Sequence, residues 1–243
     1  MRIIATKDYN DMSRKTANMI AAQVMLKPDS LLGLATGASP IGAYECLVEG
    51  YKKGDIDFSQ ISSVNLDEYC GIGGDNDQSY QYFMNHHLFN HINIKSENIS
   101  IPNGLETDGE KECSQYEEGI RSKGGMDLLL LGIGLNGHIG FNEPAEELTL
   151  DTHCAALSQT TIDANQRFFE SPDQVPQKAY TMGVGTIMRA KAIILIASGE
   201  AKAEIIKAAF FGPVTTKVPA SLLQLHHNVT VICDEAALSK ISK

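Results

Sequence analysis

The chain has 243 residues, 43% of them hydrophobic, which is enough for a packed core, and length alone demands no second domain. A formal charge of -10 leaves none of the basic surface a nucleic-acid binder needs, although a local cluster of cations and backbone N–H groups can still hold a phosphate. The five cysteines, Cys46, Cys70, Cys113, Cys154 and Cys233, form no CxxC pair, which points away from a zinc ribbon or disulfide framework and toward reduced thiols in a cytoplasm. The first residues are too charged for a signal peptide, and no apolar run approaches the about 18 residues of a membrane span.

Strand-like and helix-like segments alternate along the chain. A short strand is expected over residues 2–5. A helix over 8–26 follows, with Met12, Ala17, Ile20 and Val24 at helical spacing and Asp8 or Asn10 as its cap. Residues 31–35 read as a strand and 41–52 as a helix opened by Pro40. A strand is expected over 61–66, helices over 79–89 and 108–122, and a buried strand over 126–131. Beyond it come a helix over 159–168, strands over 180–184 and 192–197, a helix over 200–210, a strand over 229–233 and a last helix over 235–242. This alternation predicts an α/β fold, a doubly wound, mostly parallel sheet with helices on both faces, Rossmann-like, with residues 1–243 as one domain.

Three polar loops follow the strands ending at Ala35, Leu66 and Leu131, and the topology should bring them to one edge of the sheet, where ligands of open α/β sheets bind. The first, Thr36-Gly37-Ala38-Ser39 before Pro40, offers hydroxyls and a helix N-terminus to an anion, but a capped βα turn explains it equally well. The second contains Asp67-Glu68. Consecutive residues of an extended backbone point opposite ways, so these acids form no dyad; one base and one structural partner are expected, and Asp67 taken alone reads more simply as a cap.

The third loop, Gly132 to Pro144, is the most informative. It places His138 five residues before Glu143 on a glycine-bent turn. Histidine can move a proton near neutrality, and Glu143 and Asn136 are positioned to hold its ring and choose its tautomer. Two cations, Arg167 and Lys202, lie in later helix-like segments. Lys202 falls in a first helical turn, where the macrodipole disfavours a cation unless an anion is present. His87 and His91 share a helix face without a Glu or Cys to complete a zinc set, so no metal is expected.

In order, TGASP, NLDEY, GIGLNGHIGFNEP, NQRFF, YTMGVGTI and SGEAKA resemble the glucosamine-6-phosphate isomerase/deaminase family over essentially the whole chain. The resemblance implies opening of the ring of glucosamine 6-phosphate, aldose–ketose isomerisation and release of ammonia, giving fructose 6-phosphate without metal or organic cofactor. It implies Asp67 as the base at C2, His138 as the ring-opening acid/base and Glu143 as its carboxylate partner. Thr36, Gly37, Ala38, Ser39, Arg167 and Lys202 become the phosphate site. Asn136 stands where larger members carry Asp, so the acidic limb of activity is expected lower in pH. The allosteric Arg and Lys of hexameric members fall near His153 and Ala155, so activation by N-acetylglucosamine 6-phosphate is not expected. The partner is a small sugar phosphate, not nucleic acid or membrane, and the chain is expected as a monomer or small homo-oligomer. A helix over 151–169 is the candidate lid. Two other readings are a 6-phosphogluconolactonase, which needs no carbon base at Asp67, and a sugar-phosphate-binding regulator, which would carry an added helix-turn-helix and a basic face.

Overall fold

The computed structural model of the chain describes residues 1–159, 162, 171 and 175–241. The elements are β1 (Arg2–Thr6), α1 (Tyr9–Leu26), β2 (Leu31–Leu34), α2 (Ile41–Lys53), β3 (Ser62–Asn65), β4 (Asp67–Tyr69), α3 (Tyr80–His87), β5 (Ile99–Ser100) and α4 (Gly109–Ser122). They continue as β6 (Leu128–Leu131), β7 (His153–Ala156), β8 (Lys178–Thr181), α5 (Val184–Met188), β9 (Ile193–Ala197), α6 (Ala203–Phe211) and β10 (Val229–Asp234).

Seven strands form a wholly parallel sheet in the order β1-β10-β9-β6-β2-β3-β5. The central strands are unbroken apolar runs, as burial on both faces requires: β2 is LLGL, β6 LLLL and β9 IILIA. Alternate residues feed opposite cores. Leu129, Leu131, Ile193 and Leu195 pack with Ile120 of α4 and Ile206 and Phe210 of α6. Leu128, Leu130, Ile194 and Ile196 pack with Met12 and Ile20 of α1, Tyr44 and Leu47 of α2, and Met84 of α3. Asp8 opens α1 by accepting the Asp11 N–H at 2.9 Å, as its capping position predicts.

The chain runs outward from β2 through β3 to β5, then returns to β6 on the other side of β2. That reversal opens a crevice at the carboxyl ends of β2 and β6. A second, antiparallel sheet of three strands, β4-β8-β7, stands beside it, with Asp67 opposite Thr181 and Cys154 opposite Tyr180.

The structure corrects four expectations. Asp67 begins strand β4 rather than lying in a loop, because its backbone pairs with β8. The expected strand over 180–184 ends at Thr181, and Val184 starts α5, its N–H turned to Thr149 O. Residues 153–156 of the candidate lid helix form β7, and most of the remainder lies outside the described residues. Residues 235–241 form turns instead of a helix: Asp234 caps their start through Ala237 N, but Ser239 and Ile241 bond three residues back instead of four. Among the described residues no helix is long and apolar enough to cross a membrane.

Leu129 lies at the centre of the parallel sheet with no exposed surface. Leu129→Ala is expected to cost about 2–5 kcal/mol, read as a lower urea midpoint at unchanged m-value; a loss within error contradicts this packing.

Candidate active site

A cleft of about 640 Å3 lies at the carboxyl ends of β2 and β6 and is lined by Thr36, Gly37, Ala38, Ser39, Asp67, Asn136, His138 and Lys202, with Tyr80 and Phe141. The three loops meet there, as their positions after β2, β3 and β6 predict. A larger hollow of about 1250 Å3 opens on the other face of the three-stranded sheet, against α4, and contains none of these groups. The smaller cleft is therefore the candidate site.

One end is suited to an anion. Thr36–Ser39 leads into α2, whose cap position, Pro40, supplies no side-chain hydrogen bond. Tyr9 Oη takes the Gly42 N–H at 2.9 Å and donates to Ala38 O at 3.1 Å, which fixes the loop against α1. Lys202 closes this end from the junction between a 3-10 turn, Glu200–Lys202, and α6. That turn is pinned by Asp234, whose carboxylate accepts from Ser198 Oγ and Gly199 N. Lys202 Nζ donates to Ile133 O at 2.6 Å and forms no ion pair with a described residue. Burial lowers its pKa. A desolvated ammonium whose partner among the described residues is a carbonyl is suited to an anionic ligand. Arg167, the other expected cation, lies outside the described residues.

Asp67 and Glu68 divide as the strand alternation predicts. Glu68 accepts the N–H groups of Tyr69, Tyr80 and Gln81, each at 2.8 Å, and so ties β4 to the start of α3. Glu68 thus secures the start of α3 beside its Ser79 cap, and Asp67 turns into the cleft. There it is only 7% exposed. Burial, and after it the charge of Glu68, pushes its pKa up to about 8. Gly140 faces this carboxyl with φ +56°: a Cβ there would stand 2.9 Å from Thr181 Oγ1 and 3.5 Å from Asp67 Oδ2.

Facing Asp67, the third loop carries the histidine. Its ring packs so closely on Gly134 that a Cβ there would meet the imidazole at 2.4 Å. Glu143 Oε1 lies 3.3 Å from His138 Nδ1. Nδ1 is screened from solvent and makes no hydrogen bond with a described residue. Asn136 does not hold the ring, as its place in the motif suggested. Its Oδ1 accepts the His138 backbone N–H at 3.1 Å and its Nδ2 donates to Glu143 Oε2 at 2.5 Å. It acts on the imidazole by way of the carboxylate. Ser158 Oγ donates to Glu143 Oε1 at 3.2 Å from the far end of β7. Nothing in the spacing of the sequence marks that serine, since β7 itself is an expectation the sequence did not yield.

The cleft thus offers a desolvated carboxyl and an imidazole–carboxylate pair facing a common space, with a cation and a hydroxyl-bearing loop at one end. This defines an α/β protein built for proton transfer on an anionic ligand. Residues 7–232 match the family of glucosamine-6-phosphate isomerases and 6-phosphogluconolactonases, and the chain belongs to it. A glucosamine-6-phosphate deaminase of Thermoanaerobacter sp. is 55% identical over 99% of this chain and 95% of its own length. One from Clostridium perfringens is 54% identical over 98% of both. The solved structure of a monomeric glucosamine-6-phosphate deaminase superposes with a TM-score of 0.96 at 43% identity, covering 99% of this chain and 100% of the other.

The raised pKa of Asp67 links protonation to stability. The folded state keeps a proton that the unfolded chain loses, so this group withdraws stability as pH rises from about 4 to about 8. Asp67→Asn should therefore melt progressively higher than wild type across that window, by several degrees at its alkaline end. A difference that shrinks as pH rises contradicts the buried carboxyl.

Proposed function

We propose that this chain converts glucosamine 6-phosphate and water to fructose 6-phosphate and ammonia, as an amino-sugar catabolic enzyme of the cytoplasm. The observation that carries this reading is Asp67, a buried carboxyl facing the same cleft as an imidazole–carboxylate pair. A lactonase needs no base at carbon; an aldose–ketose isomerisation does.

In the proposed sequence the phosphate is held by Thr36, Gly37, Ala38 and Ser39, with Lys202 and Arg167 as cations. His138, held toward the sugar by Glu143 and through it by Asn136, takes the proton from the C1 hydroxyl and returns it to the ring oxygen, which opens the pyranose. Asp67 then removes the C2 proton while the substrate's ammonium gives a proton to O1, which leaves an enolamine, and Asp67 delivers its proton to C1. The product is a ketimine at C2. Water adds to that carbon and ammonia leaves, so C–N hydrolysis completes the isomerisation.

An empty cleft keeps Asp67 protonated at neutrality. The ammonium of bound glucosamine 6-phosphate, placed beside it, favours the carboxylate and prepares the base. The acidic limb of kcat/KM is therefore expected near pH 8, and that of kcat lower. Coincident limbs at ordinary aspartate pH contradict this.

Ammonia release from glucosamine 6-phosphate tests the reading as a whole. Asp67→Asn should lower turnover by at least about 10^2–10^4-fold while fructose 6-phosphate still binds, and His138→Gln should fall comparably. Asn136→Ala should lose about 10-fold through the freed Glu143. Full turnover in Asp67→Asn sinks the assignment. Kinship with a monomeric deaminase supports a chain acting alone or in a small assembly. His153 and Ala155 at the positions of the allosteric cations support a hyperbolic rate curve; a sigmoidal curve relieved by N-acetylglucosamine 6-phosphate contradicts it.

A further inference from the structure

Tyr80 lines the cleft but has no part in the steps above. It is the first residue of α3, and its backbone N–H is one of the three held by Glu68, the neighbour of Asp67. Its ring stacks on Phe141 of the third loop, with centroids 6.1 Å apart and planes 3° from parallel, and leans on Tyr69 at 4.7 Å. The ring is therefore fixed from the backbone and from two neighbouring rings. Its hydroxyl donates to Tyr69 Oη at 3.2 Å, a long bond for two hydroxyls. The same hydroxyl interacts with the Thr36 side chain, and Asp67 lies close enough to raise the phenol's pKa when it ionises. Burial keeps the phenol neutral, so it can both donate and accept.

This position has a consequence for an extended ligand. A hexose phosphate with C2 at Asp67 and its phosphate at Thr36–Ser39 must lay C3, C4 and C5 between the two. Of the polar side chains lining the cleft, Thr36, Ser39 and Lys202 stand at the phosphate end, and Asp67 and His138 stand at the reacting carbons. Asn136 is engaged with Glu143. Tyr80 stands between the ends. We propose that Tyr80 is a substrate-contacting residue whose hydroxyl hydrogen-bonds a chain hydroxyl of the sugar phosphate between C2 and the phosphate, exchanging its long contact with Tyr69 for a shorter one. The proposal rests on the sugar-phosphate reading above.

Tyr80→Phe keeps the ring and its stacking and removes only the hydroxyl. Binding is measured by calorimetry with two probes, fructose 6-phosphate and inorganic phosphate, so that the result does not depend on turnover. The variant should bind fructose 6-phosphate about 3- to 10-fold more weakly, the loss of one neutral hydrogen bond, and inorganic phosphate as tightly as wild type. In turnover, KM should rise by a similar factor with kcat little changed. Unaltered phosphate affinity also reports that the variant is folded. Equal affinity of wild type and variant for fructose 6-phosphate overturns the proposal. So does an equal loss for both probes, which would place Tyr80 behind Thr36 as a support of the phosphate loop. Failure of wild type to bind fructose 6-phosphate would instead fault the reading of the substrate.

Discussion

The site depends on one constraint: a carboxyl must face the cleft while kept almost free of water. The pairing of β4 with β8 supplies it. An extended backbone sends neighbouring side chains to opposite faces, so Asp67 and Glu68 cannot share an environment. Glu68 satisfies three backbone N–H groups and secures the start of α3. Asp67 receives no such support from the described residues and is left desolvated. Two like residues in sequence become a support for a helix start and a desolvated carboxyl in the cleft because the strand separates them.

The rest of the cleft is arranged around that carboxyl by the order of the parallel sheet. The reversal between β2 and β6 brings the first and third loops together, and β3 leads straight into β4. The end proposed to hold the phosphate follows from electrostatics. Lys202 is held by a carbonyl, in a turn pinned by Asp234, with burial working against its charge. An anion relieves that cost. At the other end Glu143 is gripped on both oxygens, by Asn136 and by Ser158, so the carboxylate that faces His138 has little freedom.

Much of this was legible in the sequence, and the reasons are physical. Strands buried on both faces are written as apolar runs, so β2, β6 and β9 and the loops that follow them can be read directly. The opposed directions of Asp67 and Glu68 follow from strand alternation; the macrodipole singles out Lys202, but burial is what works against its charge. What resisted reading depends on partners distant in sequence. β7 is His-Cys-Ala-Ala, without an alternating apolar pattern, and exists because β8 pairs with it. The bond from Asn136 to Glu143 spans seven residues of a glycine-bent loop, and no periodicity announces it. Tyr80 read as an ordinary helix residue because the stacking on Phe141 belongs to the tertiary fold. The residues after Asp234 have helical composition and a cap, but Ser239 and Ile241 bond three residues back, and the chain settles into turns.

The central claim is that Asp67 holds its proton at neutral pH in the empty protein. Difference infrared spectroscopy tests it most directly, by following the protonated carboxyl band that is present in wild type and missing in Asp67→Asn. The account predicts that this band persists through neutrality and loses half its intensity near pH 8. A band already gone above about pH 4, the ordinary aspartate value, would contradict it.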